Sequence, residues 1–225
     1  MIPLRDDNPV RDTPVVTIGI IAICVIVSLW QWTLSPSAAQ VAVYQYGFLP
    51  GALFGNVRVE GAVVPPVLTM ISSMFLHGGL LHLLGNMLYL WIFGDNIEDR
   101  LGRVRYLAFY LICGVVAALA QALPDMDSQI PMIGASGAIS GVLGAYLVLY
   151  PRANVLVALP IVIVFYTFRV PALLVLGFWF LGQLMSSLAT SGEGGIAFGA
   201  HVGGFLAGLV LIRLFLRERR SPRFQ

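Results

Sequence analysis

Lysine is absent from the 225 residues, so all 13 basic side chains are arginine, and 11% of the chain is charged against 58% hydrophobic. Soluble domains carry roughly 25% charged residues, and a chain this poor in charge cannot cover its surface with groups that water solvates. The missing lysine also removes the phosphate-binding loop, whose lysine must reach the nucleotide phosphates. The glycine-rich run from Gly192 to Gly204 is therefore no nucleotide site, and nucleotide-driven transport has no support. Only two cysteines occur, Cys24 and Cys113, each inside an apolar run; no disulfide framework is expected, and both read as buried bystanders not placed for nucleophilic chemistry. No His-Glu-x-x-His run exists to hold a catalytic zinc, and no two aspartates lie inside apolar stretches, as a membrane-embedded aspartyl enzyme would need.

What the chain does have is apolar runs repeated along its whole length, each near the roughly 20 residues that cross a bilayer as a helix. They predict an all-α, polytopic membrane bundle of six spans: about Val15–Leu34, Gly78 to just before Asp95, Tyr106–Leu123, a short glycine-rich Ala135–Tyr150, Pro171–Leu188 and Phe198–Leu216. The first run is too long for the apolar core of a signal peptide, and Trp30 and Trp32 read as an interfacial belt. Residues 35–66 are expected to form a long semi-apolar connection resting in the membrane interface. Asp95 to Arg105 is expected as a polar turn, and 151–170, broken by Pro160, as an interfacial or re-entrant piece. With six spans the termini share a side, and twelve of the 13 arginines fall there, leaving Arg58 with Glu60, Asp125, Asp127 and Glu193 opposite. The positive-inside rule then makes that side cytoplasmic. Residues 1–14 are then expected to be a short cytoplasmic segment, too short for a soluble regulatory domain, 15–216 the six-helix membrane domain, and 217–225 a basic cytoplasmic tail.

Polar groups inside such runs are costly, so each one is a functional candidate or a helix-packing device. A serine in a membrane helix commonly bonds back to the backbone one turn earlier. Ser136 differs in its setting: Gly134-Ala135-Ser136-Gly137 puts the hydroxyl at a helix start with almost no steric cover, beside free amides that favour a developing oxyanion. His201 lies one turn into the last run. Ala200, Gly204 and Gly208 repeat every four residues, as do Gly137, Gly141 and Ala145 near the serine. Two such small-residue stripes let helices pack closely, and if they pack on each other the imidazole can take the hydroxyl proton. His82 and Asn86, four apart, share a helix face and direct two donors at one spot, as an oxyanion hole requires or as interhelical hydrogen bonding would use. His77 is turned away from that face and is expected to anchor the preceding loop.

The segments His77-Gly78-Gly79-Leu80-Leu81-His82 with Asn86, Glu98-Asp99-Arg100-Leu101-Gly102, Gly134-Ala135-Ser136-Gly137, and Ala200-His201 with Gly204 and Gly208 together resemble the rhomboid family of intramembrane serine proteases. The resemblance covers roughly Met70 to Gly208. It implies a six-helix bundle whose site opens to the periplasmic or extracellular side in a water-accessible cavity below the membrane surface. It implies Ser136 as nucleophile, His201 as base and then acid, and His82, Asn86 and the Ser136 amide as oxyanion donors. No metal, cofactor or third acidic triad member is implied. Glu98 and Arg100 match a structural motif. Some relatives carry an aromatic residue one turn after the nucleophile, stacked on the catalytic histidine, where this chain has Ser140; some carry a Trp-Arg pair in the first long loop, absent before His77 here. Histidine positioning is then expected to rest on tight helix packing, and gating on the fifth span and the loop near Gly192. The expected partners are transmembrane protein substrates and membrane lipids, with no nucleic acid and no nucleotide, in a bacterial inner membrane. A non-proteolytic relative that binds or escorts membrane proteins is the alternative.

Overall fold

An apolar run with no charged side chains can satisfy its backbone amides and carbonyls internally only as a helix, and most of this chain does so. The computed structural model describes residues 1–161, 164–189 and 197–216. The basic tail at 217–225 and the loop near Gly192 lie outside the described residues. In chain order the elements are β1 (Ile2–Asp6), α1 (Val15–Thr33), α2 (Pro36–Tyr46), α3 (Pro50–Leu53), α4 (Pro66–Ser72) with a 3-10 turn over Ser73–Phe75, α5 (Leu80–Leu101), α6 (Arg103–Ala122), α7 (Ser136–Leu149), β2 (Asn154–Ile161), β3 (Val164–Pro171), α8 (Ala172–Ala189) and α9 (Phe198–Phe215).

By length and composition α1, α6 and α9 can each cross a membrane, and α4 with its turn plus α5, bent by 86°, makes a fourth if the pair is one span. The shorter apolar helices are α7 and α8. The six expected runs are thus all helical, but three or four of them meet the length of a full crossing.

The all-α expectation needs correction. Residues 151–170, expected as an interfacial or re-entrant piece, hold strands: β2 and β3 pair antiparallel from Asn154 opposite Pro171 to Ile161 opposite Val164, and β1 adds a third strand on β2. The segment is dense in β-branched and aromatic residues, which suit a pleated surface. Pro160, which read as a break, is tolerated because β1 pairing stops at Ala158, so β2 is already an edge there. Residues 35–66 are likewise not all loop. Ser35 caps α2, accepting from the Ala38 amide at 3.3 Å, with Pro36 in the first turn. Asp95 to Leu101 are the last two turns of α5, not a turn region; the break is Gly102 alone, at φ +79°, a conformation open to glycine and strained for other residues.

That charged extension is stabilised by the start of the chain. The buried Glu98 carboxylate accepts from the Val16 amide at 2.9 Å, the Thr17 amide at 2.8 Å and the Thr17 hydroxyl at 2.9 Å, and Asp99 accepts from the Arg11 and Asp12 amides. Glu98 thereby occupies the positive end of α1 and satisfies donors that have no partner inside the helix. Charge-assisted bonds contribute about 1.5–3 kcal/mol each, so Glu98→Ala is expected to lower stability by about 3 kcal/mol or more. Glu60→Ala, at an exposed position, serves as the control. Unfolding in detergent measures both, and a Glu98→Ala protein that melts with wild type contradicts the assignment.

At the centre stands α7, with every residue from Gly137 to Tyr146 buried. It packs on α9 along the two small-residue stripes: a Cβ on Gly204 would meet the Gly137 carbonyl oxygen, one on Gly208 that of Gly141, and one on Gly144 that of Phe205. The third wall is α6, whose Ala117 and Ala120 lie against Gly137 and Gly203.

Candidate active site

The dense α7–α9 seam brings together two residues 65 positions apart: His201 Nε2 lies 2.7 Å from Ser136 Oγ. Ser136 is the first residue of α7, so its amide and the two that follow have no intrahelical acceptor. The back-bonding that a membrane serine commonly makes belongs instead to Ser140, whose hydroxyl donates to the Ser136 carbonyl at 2.6 Å. The Ser136 hydroxyl is left to the imidazole.

His82 and Asn86 converge as their spacing predicts. Gly134, at φ +120°, has no Cβ; one placed there would lie 2.8 Å from His82 Nε2 and 3.7 Å from Asn86 Nδ2. Both side chains therefore reach the backbone two residues before Ser136. The Asn86 amide nitrogen is buried without a hydrogen-bond partner, and such a donor is costly unless something accepts from it. The Gly78 amide donates to His82 Nδ1 at 3.3 Å, which makes Nδ1 the acceptor and leaves the proton on Nε2, the nitrogen facing Gly134. Two side-chain donors thus meet at Gly134, on the stretch leading into Ser136.

His77 anchors the preceding loop as expected, but its ring also lies edge-on to that of His82, with centroids 5.2 Å apart. Its amide donates to the Gln31 side chain at 3.0 Å and its Nδ1 is 3.5 Å from the Ser28 hydroxyl, so it ties the turn before α5 to α1. The loop before α7 is pinned as well. Gly134 donates to the Ser73 carbonyl at 2.9 Å, Phe48 and Met132 exchange backbone bonds, and the Asn56 side chain bonds Asp127. Among the described residues no three His, Cys, Asp or Glu side chains converge as a metal-ligand group.

Three side chains at the site escaped sequence reasoning. Gln121, in α6, accepts from the Ala200 amide at 3.0 Å and so caps the first turn of α9. Gln183, in α8, has Oε1 2.6 Å from His201 Nδ1. Trp179, one turn earlier on α8, lies against the imidazole with ring centroids 6.0 Å apart and planes inclined by 35°. Each glutamine is a polar residue in an apolar run, the one signal that was available. Histidine positioning therefore draws on α8 as well as on the tight packing expected of α7 and α9.

A serine beside an imidazole, with two side-chain donors at the stretch leading into its helix start, can carry out acyl transfer. The family model for the rhomboid domain matches residues 65–218. The chain is 34% identical over 150 residues to RHOMBOID-like protein 5 of Arabidopsis thaliana, covering 63% of this chain and 42% of that protein. It is 30% identical over 169 residues to Rhomboid protein 1, mitochondrial, of Saccharomyces cerevisiae, covering 70% and 45%. It is 34% identical over 144 residues to Rhomboid protease GluP of Bacillus subtilis, covering 63% and 25%. These matches span less than half the length of each relative.

Proposed function

We propose that this chain, which belongs to the rhomboid family, is an intramembrane serine endopeptidase cutting transmembrane segments of other membrane proteins, with Ser136 as nucleophile and His201 as base. The observation that carries the reading is the 2.7 Å contact between Ser136 Oγ and His201 Nε2 on separate helices.

In this reading Ser136 Oγ attacks the scissile carbonyl carbon and its proton passes to His201 Nε2. The carbonyl oxygen becomes an oxyanion held by His82 Nε2–H, the Asn86 amide and the Ser136 backbone amide. Collapse breaks the C–N bond, His201 returns the proton to the leaving nitrogen, and an acyl-enzyme remains. Water, deprotonated by His201, then releases the second product. The substrate segment must unwind first, because helical hydrogen bonds shield its carbonyls.

The six-span bundle belongs to the same proposal, with α1, α5, α6, α7, α8 and α9 as the spans. A helix of 14 residues such as α7 rises about 21 Å, against a hydrocarbon core of about 30 Å. With its C-terminus near one surface, its first residue, Ser136, lies below the other. The sorting of arginines has support in contacts: β1 pairs with β2, Asp99 meets the Arg11 amide, Arg169 pairs with Asp7 at 3.1 Å, and Arg105 donates to the Phe215 and Leu216 carbonyls. Arg5, Arg11, Arg105, Arg152 and Arg169 so gather at the end away from Ser136, which the proposal makes cytoplasmic. The membrane is assigned by class only. The relatives come from a plant, yeast mitochondria and a bacterium, and a bacterial inner membrane is not singled out among them.

The test uses the purified full chain in liposomes with fluorescent single-span substrates and, separately, a fluorophosphonate that acylates activated serines. Cleavage within the substrate's apolar segment is expected, with the probe recovered on the peptide containing Ser136. Intact substrates and an unlabelled Ser136 would overturn the protease reading and leave the escort alternative.

A further inference from the structure

The base of an acyl-transfer pair is useful only in one tautomer. His201 must carry its proton on Nδ1, so that the Nε2 lone pair faces the Ser136 hydroxyl. Nothing on α7 or α9 enforces this. Ser140, one turn beyond the nucleophile, spends its hydroxyl on the Ser136 carbonyl and has no ring to stack on the imidazole. Phe198 of α9 meets the ring edge-on, with centroids 6.3 Å apart, but offers no acceptor; the acceptor and a second ring come from α8. Gln183 Oε1 is 2.6 Å from Nδ1, and Trp179, four residues earlier and so on the same helix face, covers the ring. Trp179 also packs on Phe205, with ring centroids 6.1 Å apart, which seats that part of α8 against the helix bearing His201.

On the protease reading above, we infer that Gln183 is a positioning residue that accepts the Nδ1 proton of His201 and thereby fixes the base in its working tautomer and orientation. An amide oxygen can only accept, so the proton stays on Nδ1 and Nε2 keeps its lone pair for the serine. It fills the place that a carboxylate takes in a Ser-His-Asp triad, with no charge. Because its helix is distinct from both members of the pair, the base is set only while α8 is docked on α9. Withdrawal of α8 removes Gln183 and Trp179 together and leaves Nδ1 of the imidazole without its acceptor.

Two substitutions separate an acceptor from mere bulk. Gln183→Met keeps length and volume but offers no acceptor; Gln183→Glu keeps an oxygen that can only accept. Each is assayed in liposomes beside wild type and Ser136→Ala, with kcat and KM resolved and thermal stability measured. Gln183→Met is expected to lower kcat about 10- to 100-fold with KM within about twofold, and to slow fluorophosphonate labelling of Ser136 in proportion. Gln183→Glu is expected to stay within about fivefold of wild type. If Gln183→Met does not fold, Gln183→Asn, shorter by one methylene, reads the same loss. Wild-type turnover that the substitution lacking an acceptor leaves unchanged, or an equal loss in Gln183→Glu, overturns the positioning role alone. Wild type that neither cleaves nor labels overturns the protease reading and this inference with it.

Discussion

Ser136→Ala and His201→Ala are each expected to abolish cleavage, lowering kcat/KM by about 10⁴-fold or more, which corresponds to about 5.5 kcal/mol of transition-state stabilisation. The two groups act as one device. Without the hydroxyl no acyl-enzyme forms, and without the imidazole at 2.7 Å the hydroxyl proton has nowhere to go during attack. The double substitution is therefore expected to be no worse than either single one, since residues that work as a unit are far from additive. Folding is expected to survive in Ser136→Ala, because its side chain is half-buried and carries one oxygen, so unchanged thermal stability would show that chemistry alone was lost. Cleavage near the wild-type rate by either single variant, in a preparation free of other proteases, refutes the assignment.

Gly208→Ala is expected to lower the cleavage rate about 100-fold without touching a reacting group. The added methyl would press on the Gly141 carbonyl oxygen, with the Gly141 carbonyl carbon at 2.6 Å and its Cα at 2.8 Å. These are backbone atoms of a helix and cannot step aside as a flexible side chain would. The α7–α9 seam has to open by about 1 Å, and a displacement of that size at reacting groups costs about 100-fold in rate. Overpacking adds about 1–3 kcal/mol of destabilisation. Gly177→Ala, in α8 with nothing within 4 Å of the new methyl, is expected to leave activity and melting close to wild type. The seam argument fails if Gly208→Ala keeps both the wild-type rate and the wild-type melting temperature.

These two expectations rest on residues that were legible before any coordinates. The glycine stripes announce close helix approach because only a missing Cβ permits it, and Ser136 stands at a helix start because Gly134 and Gly137 bracket it. The meeting of His82 and Asn86 at Gly134 was legible through their spacing of four. The strands within residues 151–170 were missed because a short apolar run bounded by arginines looks alike whether or not it pairs as strands, and the partner strand, β1, lies some 150 residues earlier. Helix α2 was hidden by the small and polar residues around it, although Ser35-Pro36 was a usable start signal.

Composition alone determined that the chain is a membrane protein built mostly of helices, because so few charges leave no other solvent for its surface, and the local motifs determined which residues had chemistry to offer. Tertiary structure decided what they are offered to. Glu98 acts on a helix 81 residues away, Gln121 caps α9 from α6, and Gln183 reaches His201 from a third helix. Hydrogen bonds of this kind leave no periodicity in the chain: their partners are set by where packed helices happen to meet, not by distance along the backbone.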